Sequence, residues 1–488
     1  MADFFRAVIL FVAAFAVAAQ DFRLCAQTSV SSPAADGRPV LDEKLVRAAC
    51  AYFDYDRDGS FNPSLEDFGR LIALADSGNA DAQFVCGVCY FHGLRIPQDF
   101  EKAAFMFTKS AFAGNAYGQY GLGICLLDGR GISKDERAAF GMFEKAAAAG
   151  LACAANMVGV CKYSGRGTRP DAKVAAELFK KAVDGGCVRA KVSLGRARLE
   201  GRGVPKNVDG AFNLFSEAAG VNAMAQNHLG VFYSRGFGRT PDEYAAVKWF
   251  EKSAKNGYVP AQAALGMAYL QGLGVVSDLA EGVKWLTMAA RGGNAEAQNN
   301  LGVCLMNGWG AEANPPAAVE WYAKSASQGY AIAQNNLGDC LLNGRGCAQN
   351  PSEAIEWYRR AALQGNIAAQ SNLGFCYLAG KGTQKNPSEA IRWLKPAADS
   401  GDVAAQSNLG TCYINAVGSD RNVEEAIKYL KLAAQKGDAQ AEGNLGACYY
   451  NGIGVQKNVL KGVELIRSAA KKGNEEAQKA LARIRGTY

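Results

Sequence analysis

Apolar and polar positions alternate along this chain in a pattern that returns every 36 residues. In the unit around Gly374, apolar residues from Ala369 to Tyr377 recur at steps of three and four, the spacing of one face of an α-helix. A glycine-rich loop at Gly380 then interrupts the pattern, and Ser388 is expected to cap a second amphipathic helix. Each unit is therefore predicted to be a helix–turn–helix.

A glycine that follows a leucine or a similar apolar residue marks each unit, and we call it the anchor glycine. Neighbouring anchors are 36 residues apart, except for one step of 35 residues. A fixed period in this range predicts a solenoid, in which each unit buries its apolar face against the next. Since a glycine within a helix costs about 1 kcal/mol relative to alanine, the second helix is expected to pass close to it. The anchors are Gly87, Gly123, Gly159, Gly195, Gly230, Gly266, Gly302, Gly338, Gly374, Gly410 and Gly446.

Each second helix carries two large apolar residues in succession, at the same helical phase in every unit. Met106-Phe107 and Trp357-Tyr358 are examples. A row of aromatic rings can form a stacking surface, but at constant helical phase it is more typical of a buried face. We therefore interpret these pairs as core residues.

These residues resemble the Sel-1-like repeat family, a relative of the tetratricopeptide repeats. The family pattern A-x-x-x-L-G-x-x-Y-x-x-G-x-G-V, followed by E-A-x-x-W-Y-x-K-A-A-x-x-G, is matched most closely by residues 295–329 and 331–365. The match extends over roughly residues 78–480. The resemblance implies an all-α fold, a right-handed α/α superhelical solenoid of helix–turn–helix repeats. It also implies a scaffold for protein complexes, usually without catalysis.

The 36-residue period sets the expected domain boundaries. Residues 78–474 are predicted to be tandem repeats. Residues 43–77 follow the period with weaker matches and are interpreted as a degenerate N-terminal capping repeat with an acidic loop. Residues 475–488 are predicted to form a C-terminal capping helix. Atypical, polar end units of this kind keep a repeat array soluble.

The N-terminus has the features of an export signal. Residues 1–19 include an uninterrupted apolar stretch, Ala7 to Ala19, which ends in small residues. This stretch is too short to cross a bilayer but suits a signal peptide. Residues 20–42, rich in serine, alanine and proline, are predicted to be a linker. We expect a secreted, periplasmic or cell-envelope protein without an integral membrane segment after signal cleavage; a cytoplasmic protein is the alternative.

The acidic loop resembles the beginning of an EF-hand calcium loop. Asp54, Asp56, Asp58 and Asn62 place oxygen ligands at alternate positions around a glycine, as Ca²⁺ requires. The bidentate glutamate of such a loop is replaced, because its twelfth position is Leu65. Two interpretations stay open, a structural acidic turn and a weak Ca²⁺ site. No other cofactor is expected.

Cysteine occurs 14 times, and eight copies stand two residues after an anchor glycine. Neighbouring first helices pack about 8–10 Å apart, whereas a disulfide needs Cα atoms closer than about 7 Å. We therefore predict a row of buried small residues and not a disulfide ladder. Cys153 with Cys187, and Cys340 with Cys347, are alternative pairs. Many free thiols are unusual in an oxidising compartment, which argues against export.

The candidate binding residues form a row of amides. Five successive repeats carry asparagine two residues before the anchor glycine, and four of them carry glutamine two residues earlier. The resemblance to tetratricopeptide superhelices implies a concave groove lined by first helices, in which amides grip the main chain of a peptide. An amide both donates and accepts hydrogen bonds, which suits any peptide backbone. The alternative is hydrogen bonding between neighbouring repeats. The predicted peptide-binding residues are Asn300, Asn336, Asn372, Asn408, Asn444, Gln334 and Gln370.

Charge and composition narrow the function further. A formal net charge of +7 over 488 residues, without a basic run, argues against nucleic-acid binding. Two histidines give little material for a histidine-based catalytic dyad. We expect a non-catalytic scaffold or adaptor that binds a protein or an extended peptide. The alternatives are a cell-envelope enzyme of the cysteine-rich Sel-1-like type, which would need a nucleophilic serine beside a lysine, and a calcium-gated adaptor.

Overall fold

The repeats fold as paired helices throughout the described part of the chain. The computed structural model describes residues 45–46, 48–50, 61, 63–415 and 422–486. Those residues form α-helices joined by turns and loops, without a β-strand among them, and the predicted all-α fold is confirmed. The chain divides into two compact units, Met1–Ser277 and Asp278–Tyr488. Each unit is a stack of helix–turn–helix repeats.

The first unit begins with α1, Leu65–Asp76, which precedes the complete repeats. Its first helices are α2 Ala80–His92, α4 Ala116–Asp128, α6 Ala152–Ser164, α8 Val188–Glu200, α10 Ala223–Arg235 and α12 Val259–Gln271. Its second helices are α3 Phe100–Phe112, α5 Glu136–Ala148, α7 Ala172–Asp184, α9 Val208–Ala218 and α11 Glu243–Lys255.

The second unit continues the same alternation. Its second helices are α13 Leu279–Arg291, α15 Pro315–Ser327, α17 Pro351–Leu363, α19 Pro387–Asp399, α21 Val423–Gln435 and α23 Val459–Lys471. Its first helices are α14 Ala295–Asn307, α16 Ala331–Asn343, α18 Ile367–Ala379, α20 Val403–Asn415 and α22 Ala439–Asn451, and α24 Glu475–Gly486 follows them. Within each unit, consecutive helices pack together, and first helices of neighbouring repeats also touch, as α2 with α4 and α18 with α20.

Side-chain caps begin the second helices, but the capping residue of α19 is not the one predicted. The side chain of Asn386 accepts a hydrogen bond from the backbone N–H of Glu389, and the helix starts at Pro387. The assignment of Ser388 as the cap is therefore wrong by two residues. Proline is tolerated in the first helical turn because its missing N–H would have no intrahelical partner there, so the helix begins before Ser388.

The anchor glycines lie where the two helices of a repeat approach each other. A Cβ atom at Gly87 would lie 2.6 Å from Cδ1 of Phe107, and one at Gly374 would lie 2.5 Å from Cγ of Leu394. Both distances are far inside van der Waals contact, which confirms the expected close approach. Phe107 and Leu394 are each the second member of the large apolar pair, and both are fully buried. The core interpretation is thereby confirmed for the second member. The first members differ: Met106 is buried, whereas Trp357 is half-buried.

In the described inter-helix loops that have a second glycine, this glycine packs on the preceding repeat; in the first repeat Arg95 takes its place. Gly203 has φ +79°, and a Cβ there would collide with the carbonyl oxygen of Ala172, at the start of α7. A Cβ at Gly131 would collide in the same way with the carbonyl oxygen of Phe100. Only glycine combines positive φ with such an approach. The loops therefore serve both as turns and as contacts between repeats.

The two ends of the array are described in part. Within predicted capping repeat 43–77, α1 begins with a capping box in which Ser64 and Asp67 each bond the other's backbone N–H. At the other end, α24 occupies most of the predicted capping helix. Among the described residues, no helix is both long and apolar enough to span a lipid bilayer. The predicted signal peptide 1–19, the linker 20–42 and the calcium-loop residues Asp54, Asp56, Asp58 and Asn62 lie outside the described residues.

The cysteines within the described residues are not joined in disulfides, and nearly all are buried. Cys153 and Cys187 are both fully buried without forming a disulfide, and Cys340 and Cys347 are unbridged too. The prediction of a buried row is confirmed. Burial raises the pKa of the thiols in this row, for example to about 12 for Cys125, so the thiols stay protonated and act as small apolar residues.

Candidate functional site

The five predicted asparagines lie on one face of the second unit. We define the first-helix face as the surface formed by residues two before and one after each anchor glycine. All five asparagines of the row lie on this face and are half-buried. Successive first helices place them side by side, because each stands at the same position of its repeat. They are Asn300 on α14, Asn336 on α16, Asn372 on α18, Asn408 on α20 and Asn444 on α22.

Two asparagines of the row donate from their amide nitrogens to a buried asparagine of the preceding repeat. Asn336 donates from Nδ2 to Oδ1 of Asn299 at 2.9 Å. Asn372 donates in the same way to Oδ1 of Asn335 at 3.0 Å. In both cases the acceptor stands 37 residues earlier, and it is buried, at 3% exposure for Asn299. In Asn336 and Asn372 the amide nitrogen therefore forms a hydrogen bond between neighbouring repeats, which was the alternative to peptide binding.

The hydrogen bonding of the row differs in the repeats where serine stands in place of the buried asparagine. The residue 37 positions before Asn408 is Ser371, whose hydroxyl donates to Asp402 at 2.9 Å. The side chain of Asn408 makes no hydrogen bond with the described residues. The residue 37 positions before Asn444 is Ser407, which likewise donates to Asp438. Asn444 therefore donates to a different residue of the preceding repeat, to Oγ1 of Thr411 at 2.8 Å. The amide of Asn408 is therefore the one in the row with both its donors and its acceptor unengaged by described residues.

The two predicted glutamines serve a different purpose. Gln334 is 4% exposed, donates from Nε2 to the carbonyl oxygen of Ala326 at 3.2 Å, and accepts from Gln364 at 2.9 Å. Gln370 donates to the carbonyl oxygen of Ala362 at 3.3 Å. Each glutamine thus satisfies a carbonyl at the end of the preceding second helix, where intrahelical partners run out. This geometry assigns Gln334 and Gln370 to repeat packing.

A carboxylate joins the asparagine row at Asp339, one residue after an anchor glycine. Its Oδ1 accepts from the hydroxyl of Tyr358 at 2.6 Å and from Asn372 at 3.1 Å. Its Oδ2 accepts from Asn335 at 3.3 Å. Burial raises the pKa of this carboxyl group, and the hydrogen bonds from Tyr358 and Asn335 oppose that shift. The sequence reasoning missed Asp339, although an acidic residue at a position that is apolar in most repeats was a visible signal.

The same face in the first unit has a different lining. At the position of the asparagines it carries Met157, Ser193 and His228. Two arginines, Arg189 and Arg196, border a cavity beside them. Sequence reasoning missed both, although a comparison of equivalent positions from repeat to repeat shows each arginine as the one basic residue at its position.

The calcium hypothesis has no test within the described residues. Its four ligands lie outside them, and the described part of the chain contains no cluster of three or more histidine, cysteine or acidic side chains arranged to hold a metal ion. A weak Ca²⁺ site at Asp54, Asp56, Asp58 and Asn62 stays a prediction.

Comparison with known proteins supports the repeat pattern. The Sel1 repeat family model matches eleven consecutive segments: residues 80–115, 116–151, 154–187, 188–220, 223–258, 259–294, 295–330, 331–366, 367–402, 403–438 and 439–474. No curated protein matches the chain.

Solved structures with the same kind of fold are similar to this chain. One is c5321, a protective antigen present in uropathogenic Escherichia coli strains and displaying an SLR fold. It is 32% identical, the alignment covers 86% of this chain and 90% of that one, and the TM-score is 0.58. A Sel1 repeat protein from Oxalobacter formigenes is 29% identical over 63% of this chain and 89% of its own, with a TM-score of 0.43.

Proposed function

Because this chain belongs to the Sel1 repeat family, we propose that it is a non-catalytic scaffold that holds a protein segment on the first-helix face of its second unit. Sel1 repeat proteins typically mediate protein–protein interactions. The partner proposed here is an extended peptide, bound through its main chain. Its contacts are the asparagines of the row, without the two packed glutamines.

The observation that carries this proposal is the amide of Asn408. It is half-buried, it stands within a row of like residues, and it makes no hydrogen bond with the described residues. An amide can bond the N–H and C=O groups of a peptide at the same time. Leaving such a group unpaired at an interface is costly, so a partner that meets both halves gains affinity.

The neighbours of Asn408 extend the same chemistry. Asn372 and Asn444 use Nδ2 between repeats, and Oδ1 of each accepts no hydrogen bond from the described residues. These two oxygens are available for peptide N–H groups. First helices lie about 8–10 Å apart and an extended chain advances about 3.3 Å per residue, so roughly every third peptide residue would meet an asparagine.

The decisive experiment compares Asn408→Ala with a matched control. Immobilised full-length protein captures partners from its native host, and the affinity of each identified partner peptide is then measured by fluorescence anisotropy. Asn408→Ala is expected to weaken binding about tenfold, the size of one hydrogen bond, with an unchanged melting temperature. The control is Asn451→Ala, an exposed amide at the end of a first helix that bonds only Ala447 in its own turn. Equal affinity of wild type and Asn408→Ala would overturn the proposal.

Two further predictions are tested with the same material. Capture repeated in EDTA is expected to equal capture in calcium; loss of the partner in EDTA would favour the calcium-gated adaptor built on the acidic loop.

We also propose that residues 1–19 direct export. Mass spectrometry of the protein from its native host is expected to show a chain that begins at residue 19 or 20, and an intact N-terminus would refute cleavage.

A further inference from the structure

Five first helices of the second unit carry acidic residues and no basic ones. These helices, α14, α16, α18, α20 and α22, contain Glu296, Asp339 and Glu442 but neither lysine nor arginine. The fold does not impose this composition, because α8 in the first unit carries four basic residues, among them Arg196 and Arg198. The chain as a whole has a formal net charge of +7. The helices that present the asparagine row are therefore acidic within a basic protein.

Two of these three carboxylates have no cation beside them among the described residues. Glu442 is neutralised by an ion pair with Lys472, whose Nζ lies 2.7 Å from Oε1. Glu296, in contrast, makes no hydrogen bond or ion pair with the described part of the chain. Asp339 accepts hydrogen bonds there from neutral groups alone, one hydroxyl and two amides. Because both side chains are half-buried, water compensates their charges only in part.

The two carboxylates lie on opposite sides of the asparagine row. Asp339 stands one residue after its anchor, Gly338, and Glu296 stands six residues before its own, Gly302. Positions seven residues apart are two helical turns apart and share one stripe of a helix. The asparagines stand between these positions, two residues before the anchor. A peptide that crosses the helices along the row therefore has one carboxylate on each side.

The spacing of the helices sets which peptide residues meet these charges. Glu296 lies on α14 and Asp339 on α16, the next first helix. Such neighbours pack about 8–10 Å apart, and an extended chain advances about 3.3 Å per residue. Peptide residues about three apart thus lie over the two helices. Since successive side chains of an extended chain point to opposite sides, residues three apart also point to opposite sides, as the carboxylates require.

The helices themselves account for one charge but not for the other. Glu296 lies in the first turn of α14, where the helix dipole favours an anion. Asp339 lies in the middle of α16, and the equivalent residue is apolar in most repeats. Burial raises the pKa of both carboxyl groups, as it does for a buried charge that no cation compensates. A cation supplied by a partner would offset that cost.

We propose that the peptide held on this face is basic, with two lysine or arginine residues three apart, one paired with Glu296 and the other with Asp339. This inference rests on the proposed function, because it names the partner of the same face. Amides grip any peptide main chain, so the asparagine row gives affinity without selecting a sequence. The two carboxylates supply the selection, since they attract a basic segment and repel an acidic one.

The test measures the binding of three synthetic decapeptides to the full-length protein by fluorescence anisotropy. The first, Gly-Ser-Gly-Lys-Ser-Gly-Lys-Ser-Gly-Ser, has its lysines three apart. The second has glutamine in place of both lysines, and the third has the two lysines adjacent. The glutamine peptide is expected to bind about twentyfold more weakly than the first, the product of two ion pairs of about fivefold each. The adjacent-lysine peptide is expected to lie between them, because only one lysine at a time reaches a carboxylate.

Two variants and one control locate the charges that act. Asp339→Asn and Glu296→Gln each remove one charge at nearly constant shape. Each is expected to weaken the spaced-lysine peptide about fivefold and to leave the glutamine peptide unchanged. Glu320→Gln removes the same charge from an exposed position on α15, a second helix, and is expected to bind like wild type. Thermal unfolding followed by circular dichroism checks that each variant is folded.

Three results would overturn the inference. They are absence of binding by the spaced-lysine peptide, equal binding of the lysine and glutamine peptides, and wild-type affinity of folded Asp339→Asn or Glu296→Gln for the spaced-lysine peptide. Loss of affinity in Glu320→Gln equal to that in the two variants would also overturn it, because the attraction would then come from the net charge of the protein.

The inference and the proposed function fail separately. A captured partner that depends on Asn408 but whose bound segment lacks basic residues would remove the charge selection and leave the peptide-holding function. If the spaced-lysine peptide depends on Asp339 and Glu296 but binds Asn408→Ala like wild type, the grip of the asparagines on the main chain is wrong and the charge selection stands.

Discussion

Gly338 and Tyr358 are packed so closely that a Cβ atom at residue 338 would lie 2.7 Å from Cε1 of the tyrosine ring. Gly338 lies within α16, and Tyr358, fully buried, lies on α17 of the same repeat. The missing side chain of one residue makes room for the ring of the other. The helix pair is thereby fixed at a separation that any larger residue at position 338 would change.

Gly338→Ala is therefore expected to destabilise the protein although alanine favours helices. Overpacking costs about 1–3 kcal/mol, which exceeds the gain of about 1 kcal/mol in helix propensity. Gly141→Ala is the matched control, because Gly141 lies within α5 and a Cβ there meets nothing within 4 Å. Thermal unfolding followed by circular dichroism should show a lower midpoint for Gly338→Ala and an equal or higher midpoint for Gly141→Ala. Equal midpoints for the two variants would contradict the packing argument.

Contacts between repeats predict a difference between two loop glycines with positive φ. A Cβ at Gly203 would collide with the carbonyl oxygen of Ala172, whereas a Cβ at Gly150 (φ +93°) would meet nothing within 4 Å. Both alanine substitutions carry the strain of positive φ, about 1–2 kcal/mol. Gly203→Ala must in addition separate two repeats. Its urea midpoint is expected to fall clearly below that of Gly150→Ala, and the reverse order would show that the loop contact is unimportant.

The buried carboxyl group of Asp339 makes stability depend on pH. Burial raises its pKa in the folded protein, so the folded state binds more protons than the unfolded state, and stability falls as pH rises through and above the unfolded value of about 4. Asp339→Asn keeps an acceptor for Tyr358 and removes this charge. The variant is expected to gain urea resistance over wild type at pH 7 and to lose that advantage at pH 4. The exposed Asp184→Asn is the control, and an equal pH response in both variants would count against the assignment.

The rate at which each cysteine is alkylated should depend on how deeply its thiol is buried. Burial raises the pKa of Cys161 to about 12, so roughly one thiol in ten thousand is ionised at pH 8, and reagents cannot reach it. Cys347 is the described cysteine that is only half-buried. Brief treatment of native protein with iodoacetamide, followed by peptide mass spectrometry, is expected to label Cys347 before the other described cysteines. Fast labelling of Cys161 without urea would contradict its burial.

Much of the fold follows from local chemistry. The apolar period placed both helices of each repeat, and the cost of a glycine within a helix indicated the close approach at Gly374 and Leu394. The cap of α19 was misplaced, because Asn386 and Ser388 are equally capable acceptors two residues apart. Pro387, which lies between them, is compatible with a helix that starts after either residue. Only the folded backbone shows that the side chain of Asn386 is the one that accepts a hydrogen bond from a backbone N–H.

Residues at equivalent repeat positions differ in what they contact. Asn336 and Asn408 occupy the same position in their repeats. The side chain of Asn336 donates a hydrogen bond to Asn299, whereas the side chain of Asn408 makes no hydrogen bond with the described residues. The difference lies 37 residues upstream, where Ser371 replaces asparagine and turns to Asp402. A pattern within one repeat does not contain this information.

The sequence by itself determined the repeat, its helix pairs and the glycine at their crossing, because each depends on spacing within about 36 residues. Tertiary structure decided which amides are consumed in packing and which face outward, since a hydrogen bond depends on the side chain that the neighbouring helix presents. It also decided that Asp339 accepts hydrogen bonds from both Tyr358 and Asn372. That arrangement arises from three helices brought together by stacking, and no single repeat encodes it.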